Sequence, residues 1–519
     1  MSNSHSSAGV YTAEKDQSQR AANAPTSIGA IVGESNKGPV GIPTLITDTT
    51  KFTDRFGFPD ASLSFLHHSS LAFLSESSRL YVTRVSPGST FGGCTVSLSN
   101  NLNSSESWNV GLEDPSIYDF APDDLFIITG IDQGDWTDSI RVVIYPNTQA
   151  SDGTFFVEVY LVNVGRPVER HLVHLDLVRD GYGVQLNIAE YINKRSTYIN
   201  VVQNNLNAAF VSTPKRQLIN SLNSVAIHGG SNGVAATPGD IIRAWELHQD
   251  PEQLDVNILI NGGYTHVAVQ AAMTQLAEDR MDCIAILDTP ATEQSLANAI
   301  SYRRNDLQVD SSYAALYSPD YLVLDKYSDR RLYVPPSGFI AAAYARTDRE
   351  FDTWFAPAGT NRGKLDVLGV RYDYNQGDRD ALVDNQVNPT RVIPGVGIKI
   401  WGADTMQTQA SALSNVSVRR LMLFLEKSLS IAALYSVFDP NDTILRASLV
   451  EICDRFLKPI KAARGLYGFN VVCDDTNNGP ETIASGDLIL DVYVDPVLPA
   501  KRVLLTAIVN KTGATFSTG

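Results

Sequence analysis

The chain has 519 residues, enough at about 150 per domain for roughly three domains with a large buried core. Hydrophobic residues make up 43% and charged residues 19%, which excludes a disordered, collagen-like or coiled-coil polypeptide. The 41 Lys and Arg against 57 Asp and Glu leave a net charge of −16, so direct contact with a nucleic-acid backbone is not expected.

Residues 1–24 are small and polar apart from an extended pattern at Val10, Tyr11 and Thr12, and read as an arm that cannot bury itself. They carry no basic and apolar secretory pattern, and the expectation is a protein kept in a reducing cytoplasm. From Thr26 the pattern turns apolar over 27–33 and closes on Gly33, a buried strand. Helical segments over 50–56 and 62–75 lead to a strand over 79–85, an α/β unit.

After Pro87 the composition shifts to Ser, Asn and Gly, and β-branched or aromatic runs follow at 126–129, 139–145, 154–164 and 197–202. This stretch predicts a β-rich insertion. The α/β pattern returns with a strand at 256–260, a helix at 265–278, a strand at 283–287 and a helix at 295–305 whose start is capped by the run 289–292. A parallel sheet is expected for the host domain. Long helices follow at 416–436 and 443–463, then strands at 488–494 and 502–509. The most apolar stretches, 339–345 and 428–438, are too short to cross a bilayer, so no membrane insertion is expected.

No catalytic constellation emerges. Gly359-Thr360-Asn361-Arg362-Gly363-Lys364-Leu365 is one residue short of a phosphate loop and has Leu where a hydroxyl should hold magnesium. The glycines around Tyr182 and those at 229–233 lack a strand-turn-helix setting. His67 and His68, adjacent on a helix, point about 100° apart, and His171 and His174 fall on opposite faces of a strand, so neither pair suits a metal. Ser337 lacks a nucleophile elbow. The carboxylates after Cys473 read as a solvated turn between two strands. No cofactor, metal or disulfide is expected from the four scattered cysteines, Cys94, Cys283, Cys453 and Cys473.

Several segments, in order, resemble the contractile tail sheath proteins of bacteriophages, a family shared with contractile bacteriocins and type VI secretion sheaths. They are Gly38-Pro39-Val40, Arg55-Phe56-Gly57 and Leu80-Tyr81-Val82-Thr83-Arg84-Val85 near the N-terminus, and Val334-Pro335-Pro336-Ser337-Gly338 and Trp354-Phe355-Ala356-Pro357-Ala358 in the middle. The C-terminal series is the most specific: Gly397-Ile398-Lys399-Ile400-Trp401-Gly402-Ala403, Val418-Arg419-Arg420-Leu421, Phe438-Asp439-Pro440-Asn441 and Cys473-Asp474-Asp475-Thr476-Asn477. The sequence departs from the family at Asp404, usually Arg, and at Ser75-Glu76-Ser77-Ser78, usually Asn-Gly-Gly.

The resemblance implies an α/β multidomain fold: an N-terminal arm (1–24), an α/β sheath core (25–88 and 234–400), an inserted β-rich outer domain (89–233), an α+β C-terminal domain facing the tube (401–510), and an extension (511–519). The C-terminal domain would be completed by strands exchanged between subunits, through Val10, Tyr11 and Thr12 at one end and Thr512, Ala514 and Phe516 at the other. The run 502–509 should stay in the subunit's own sheet, because it is too apolar to wait exposed. Arg419, Arg420, Glu426 and Lys427 are the candidate tube contact, on a helix whose Leu421, Leu425, Ile431 and Leu434 should enter the core.

The implied function is a structural, non-enzymatic subunit that forms hexameric rings stacked into a helical sheath around an inner tail tube. It would meet baseplate and tail terminator proteins, assemble in the host cytoplasm and work in the virion tail. From another class, the alternative is an α/β small-molecule-binding enzyme sited on the Rossmann-like unit 256–287, whose glycine fingerprint is missing.

Overall fold

A computed structural model describes residues 25–60, 63–97, 114–121, 124–149, 152–162, 164–204 and 223–502. Val10, Tyr11, Thr12, Thr512, Ala514, Phe516 and the strand expected over 503–509 lie outside the described residues. Residues 26–416 form one compact unit, and the described residues from Ser417 onward form another.

The apolar run after Thr26 becomes β1 (Gly29–Gly33), buried along its whole length. After it come β2 (Thr44–Ile46), the helices Thr49–Phe56 and Leu66–Leu74, and β3 (Leu80–Arg84). The first helix starts where Asp48 Oδ1 accepts the Lys51 amide at 2.8 Å and stops at Gly57, whose φ of 83° favours a residue without Cβ. Its inward side chains, Phe52 and Phe56, lie four apart on one face.

The chain then leaves for the insertion: β4 (Gly93–Ser97), β5 (Asp124–Gly130), β6 (Ile140–Pro146), β7 (Phe155–Leu161), β8 (Glu169–Val173), the helix Ile188–Ile192, β9 (Ile199–Gln203) and β10 (Asn223–Ala226). These strands make two antiparallel sheets, β4-β5-β9 and β10-β6-β7-β8, around one apolar core that includes Val96, Phe126, Ile128, Phe155, Val157 and Val201. Four of the strands sit where the β-branched runs predict them. β4, β8 and β10 were not predicted, since their short segments carry polar or small residues between the apolar ones.

The two segments that join the insertion to its host pair with each other. Thr90 N donates to Ser231 O at 3.0 Å, Gly93 N to His228 O at 3.0 Å and Val234 N to Pro87 O at 3.0 Å. At Gly233 a Cβ would meet Pro87 O at 2.1 Å, and its φ is +72°, so only glycine fits. Away from this neck, Arg55 makes two hydrogen bonds to the buried Asp132 carboxylate at 2.7 and 3.1 Å. The fully buried Arg84 donates to Gly38 O at 2.8 Å and Gln133 O at 2.7 Å.

The host resumes with β11 (Ile258–Ile260), helix Val267–Arg280, β12 (Ile284–Asp288), helix Leu296–Ser301 and β13 (Ala314–Ser318). A small sheet of β14 (Tyr321–Asp325), β15 (Arg330–Val334) and β16 (Gly369–Val370) follows, with helix Ser337–Glu350 between its last two strands, before β17 (Val387–Ile393) and β18 (Gly397–Ile400). The main sheet has the order β18-β17-β13-β12-β11-β1-β3-β2. The six strands from β17 to β3 are parallel, and β18 and β2 are antiparallel edges. Helices cover the sheet, so its central strands read as apolar runs without alternation. The cap expected at 289–292 is not used: the N-cap is Ser295, and the buried Thr289 hydroxyl donates to Tyr317 O at 3.0 Å.

The second unit comprises helix Val416–Leu434, helix Thr443–Ala462, β19 (Leu466–Val472), helix Pro480–Ser485 and β20 (Asp491–Pro496). β19 and β20 form an antiparallel pair with a bulge between Leu466 and Gly468. No helix among the described residues is long and apolar enough to cross a membrane.

Candidate assembly interface

The carboxyl ends of the central parallel strands are where an open α/β sheet would bind a small ligand. Here they are filled from within. Asp288, at the end of β12, accepts Ser337 N at 2.7 Å, the Ser337 hydroxyl at 2.7 Å and Gly263 N at 3.0 Å. Its carboxylate thus occupies the N-terminus of helix Ser337–Glu350, the position an anion would take. Burial pushes the Asp288 carboxyl up to about 7, against the pull of those hydrogen bonds. Gln270, held by Asn261 Oδ1 at 3.1 Å and Asp288 O at 2.7 Å, and Gln294, donating to Asp320 at 2.6 Å, fill the adjoining space. Ser337 is therefore an interior clasp, and these side chains stand in the crevice where the small-molecule alternative would place its ligand.

The other sequence candidates resolve into local structure. The loop at 359–365 lies against the sheet edge, where Ile400 N donates to Gly363 O at 2.8 Å and Leu365 N to Ile398 O at 3.1 Å. His67, His68, His171 and His174 are all buried, more fully than the sequence suggests. Nε2 of His67 bonds Phe56 O, that of His171 Glu169 and that of His174 Asp152 O. The Ser75–Ser78 turn is anchored by Glu76, which receives Arg346 at 3.2 Å and Arg349 at 2.7 Å. At Asp404 the main chain does the fixing: its N–H donates to Asn388 Oδ1 at 2.7 Å and its carbonyl accepts Asn388 Nδ2 at 2.7 Å. At Gly402 a Cβ would come 2.7 Å from the same Asn388, which explains Gly in Trp-Gly-Ala.

The second unit is built around helix Thr443–Ala462. Asp442 Oδ1 caps it by accepting the amides of Ile444 and Leu445 at 3.0 and 2.8 Å, and Leu449, Ile452, Cys453, Phe456, Leu457 and Ile460 form its inner face. The turn from β19 is more than a solvated loop. Asn478, buried, accepts Ile489 N at 2.7 Å and donates to Ile489 O at 2.9 Å, closing the chain onto the start of β20. Arg446 of the helix reaches Asp475 at 2.8 Å.

Among the described residues this unit's sheet has two strands. Every residue of β20 is half-buried or exposed, and Tyr467 and Tyr493 are 65% and 61% exposed. Among the described residues each strand of this two-stranded sheet has one unpaired edge, a row of main-chain donors and acceptors ready for another strand.

Helix Val416–Leu434 does not present the charges expected of it. Arg419 and Arg420 are 5% and 3% exposed, because residues 416–421 and 423–425 are buried nearly all round the helix. Glu426 is exposed and Lys427 half-buried. Leu421 and Leu425 do enter the core, whereas Ile431 is half-buried and Leu434 is exposed.

Comparison with known families matches residues 235–406 to the central domain of phage tail sheath proteins and residues 408–510 to the phage tail sheath C-terminal domain. The tail sheath protein of Enterobacteria phage T4 is 30% identical over 314 residues, 56% of this chain and 48% of the relative. That of Vibrio phage KVP40 is 29% identical over 352 residues, 63% of this chain and 52% of the relative. The chain thus spans about half the length of these curated relatives. In three dimensions it is similar to the PVC sheath complex of an extracellular contractile injection system in its contracted state, with a TM-score of 0.55 at 15% identity, covering 98% of both chains. By both family matches and these relatives, the chain belongs to the contractile tail sheath protein family.

Proposed function

We propose that this chain is a structural subunit of a contractile tail sheath, which polymerises around an inner tube and contracts to drive the tube through a host envelope. The observation that carries the reading is that, among the described residues, the two-stranded sheet has an open edge on each side, in the unit that matches the family's C-terminal domain. β-Augmentation by strands from other copies would complete it. The arm residues Val10, Tyr11 and Thr12 and the extension residues Thr512, Ala514 and Phe516 are the proposed donors. Hexameric rings stacked into a helix, with the tube inside and baseplate and terminator proteins at the ends, are the proposed assembly, in the virion tail after assembly in the host cytoplasm. The inserted strands between β3 and β11 are proposed to face outward. With Arg419 and Arg420 buried, the tube contact proposed for this helix narrows to Glu426 and Lys427.

Electron microscopy of the purified full chain in negative stain tests the reading. Striated tubes are expected. Deleting residues 1–20, or truncating after Asn510, should leave folded subunits that form no tubes. Dispersed particles from the full chain under all conditions, or unimpaired tubes from both shortened chains, would sink it.

A further inference from the structure

The turn between the two long helices of the second unit carries the Phe438-Asp439-Pro440-Asn441 motif, which nothing above explains. Leu434, Tyr435, Val437, Phe438 and Ile444 are all exposed within eleven residues, Phe438 completely. Phe438 also holds a φ of 71°, a left-handed conformation that a bulky aromatic residue rarely adopts. The turn is nonetheless fixed: Asn441 Nδ2 donates to Asp487 O at 2.8 Å, and Asp442 caps the next helix. A strained, ordered and exposed apolar knob is a contact surface awaiting a partner.

The charge around it says which partner. The chain path places the knob, the 473–490 connection and the start of helix Thr443–Ala462 at one end of the unit, which carries the exposed carboxylates of Asp439, Asp474, Asp475, Glu481 and Asp487. The cation facing them, Arg446, is buried and paired with Asp475. The other end lies about 30 Å away along the twenty-residue helix. There the helix exit, the start of β19 and the exit from β20 meet, with Val497 N donating to Gly465 O at 3.1 Å and Leu466 opposite Pro496. That end carries Lys458, Lys461 and Arg464, all exposed, with Lys458 bonded to Asp454 at 3.1 Å and the exposed carboxylate Asp495 nearby, and the exposed Lys501 and Arg502 follow four and five residues after Val497 in the chain. It also has its own apolar contacts, the exposed Tyr467 and Leu498. Compensation of the helix dipole accounts for charge in the terminal turns. It does not reach the connection at 474–487 or Lys501 and Arg502, and it leaves Phe438 unexplained.

We infer that the acidic apolar end of this unit, centred on Phe438, docks onto the basic end of the same unit in a second copy, near Lys461, Arg464, Tyr467 and Leu498. Such a head-to-tail contact uses two different patches, so it propagates from copy to copy and generates rings or helices, never a closed pair. Opposed charge sets the order of the copies, and burial of the apolar knob supplies affinity. The inference rests on the sheath reading above and adds a second contact to strand exchange.

Charge exchange in the full chain tests it. D439K/D487K and K461E/R464E should each raise the critical concentration for tube formation at least about tenfold, with thermal unfolding unchanged, as screening by salt does for wild type. The four substitutions together should restore assembly to within about threefold. In a second measurement that does not depend on charge, Phe438→Cys with Tyr467→Cys in one chain, treated with a bismaleimide under assembly conditions, should give a ladder of dimers, trimers and higher species, and either change alone should not. Wild-type assembly by both double variants, or no recovery in the fourfold variant together with no ladder, overturns the head-to-tail contact while tubes from wild type keep the sheath reading. Loss confined to the basic end, and only on preformed tubes, overturns it in favour of the tube as occupant. A wild type that forms no tubes overturns both.

Discussion

The eight-stranded sheet and the two-stranded sheet of this chain follow the same pairing rules to opposite ends. In the first, β1, β11, β12 and β13 are buried at every residue, and the ligand crevice is stopped by Asp288 and Gln294 from the same chain. In the second, β20 has no fully buried residue and two tyrosines stand in solvent. Among the described residues the larger sheet buries its central strands within its own polypeptide, while the smaller leaves its strands exposed and is the one proposed to take strands from other chains, so stability should reside in one and assembly in the other.

That division is most exposed to failure at Asp288. Asp288→Ala strands the buried donors of Ser337 and Gly263 and should cost the first unit about 4 kcal/mol, read by urea unfolding. A loss under 1 kcal/mol would mean the clasp is not what closes the sheet. The pH profile sharpens the point. Asp288 has its pKa raised from 3.8 to about 7, so its contribution is complete below about 3.8 and is lost as pH rises through 7. His67 and His248, held neutral by burial, are lowered from 6.5 to about 4, so their contribution is present above 6.5 and is lost as pH falls through 4. Two groups oppose one at about 1.4 kcal/mol per pH unit each. Between about pH 4 and 6.5 two rising contributions outweigh one falling one, so their combined effect rises with pH there, and Asp288→Asn should steepen the rise.

Within the second unit, Asn478→Ala breaks the tie to Ile489 and should destabilise it by about 2 kcal/mol, visible as faster amide exchange through β20. Arg55→Ala should cost somewhat less, about 2 kcal/mol at most, because Asp132 is buried while Arg55 is partly solvated. Its clearer effect should be on proteolysis. The paired neck should slow cleavage at 86–93 and 228–234 in wild type, and the variant should become susceptible there first. Smallest of all, Tyr493→Ala should change subunit stability by under about 0.5 kcal/mol and still weaken tube formation. A large loss of stability there would erase the contrast between the sheets.

The sequence made the α/β unit legible because β1, β11 and β12 are apolar runs that end at Gly33, Asn261 and Asp288. It hid β14 to β16, whose outer residues Leu324 and Tyr333 are exposed and blur the pattern. The clasp was also illegible. Asp288 and Ser337 lie 49 residues apart, and nothing local marks a carboxylate that will be buried. Arg419 and Arg420 misled in the other direction, since charge in a helix ordinarily signals solvent and here the first turns are enclosed. Of the proposed interface, the motif at 438–441 was visible as a motif, but only the fold shows its aromatic ring in solvent and opposite charges gathered at the two ends of one unit.

The position of β1 between β3 and β11 has a consequence for synthesis. β3 ends at Arg84 and β11 begins at Ile258, so about 170 residues separate the two neighbours of one buried strand. At roughly 5 to 20 residues per second, a ribosome needs about 10 to 35 s to cross that interval. The insertion, with its own core, can fold during the wait, while β1 shows an apolar edge with no mate. Nascent chains stopped near residue 250 should therefore be held by chaperones, and chains long enough to expose β11 to β13 should be released.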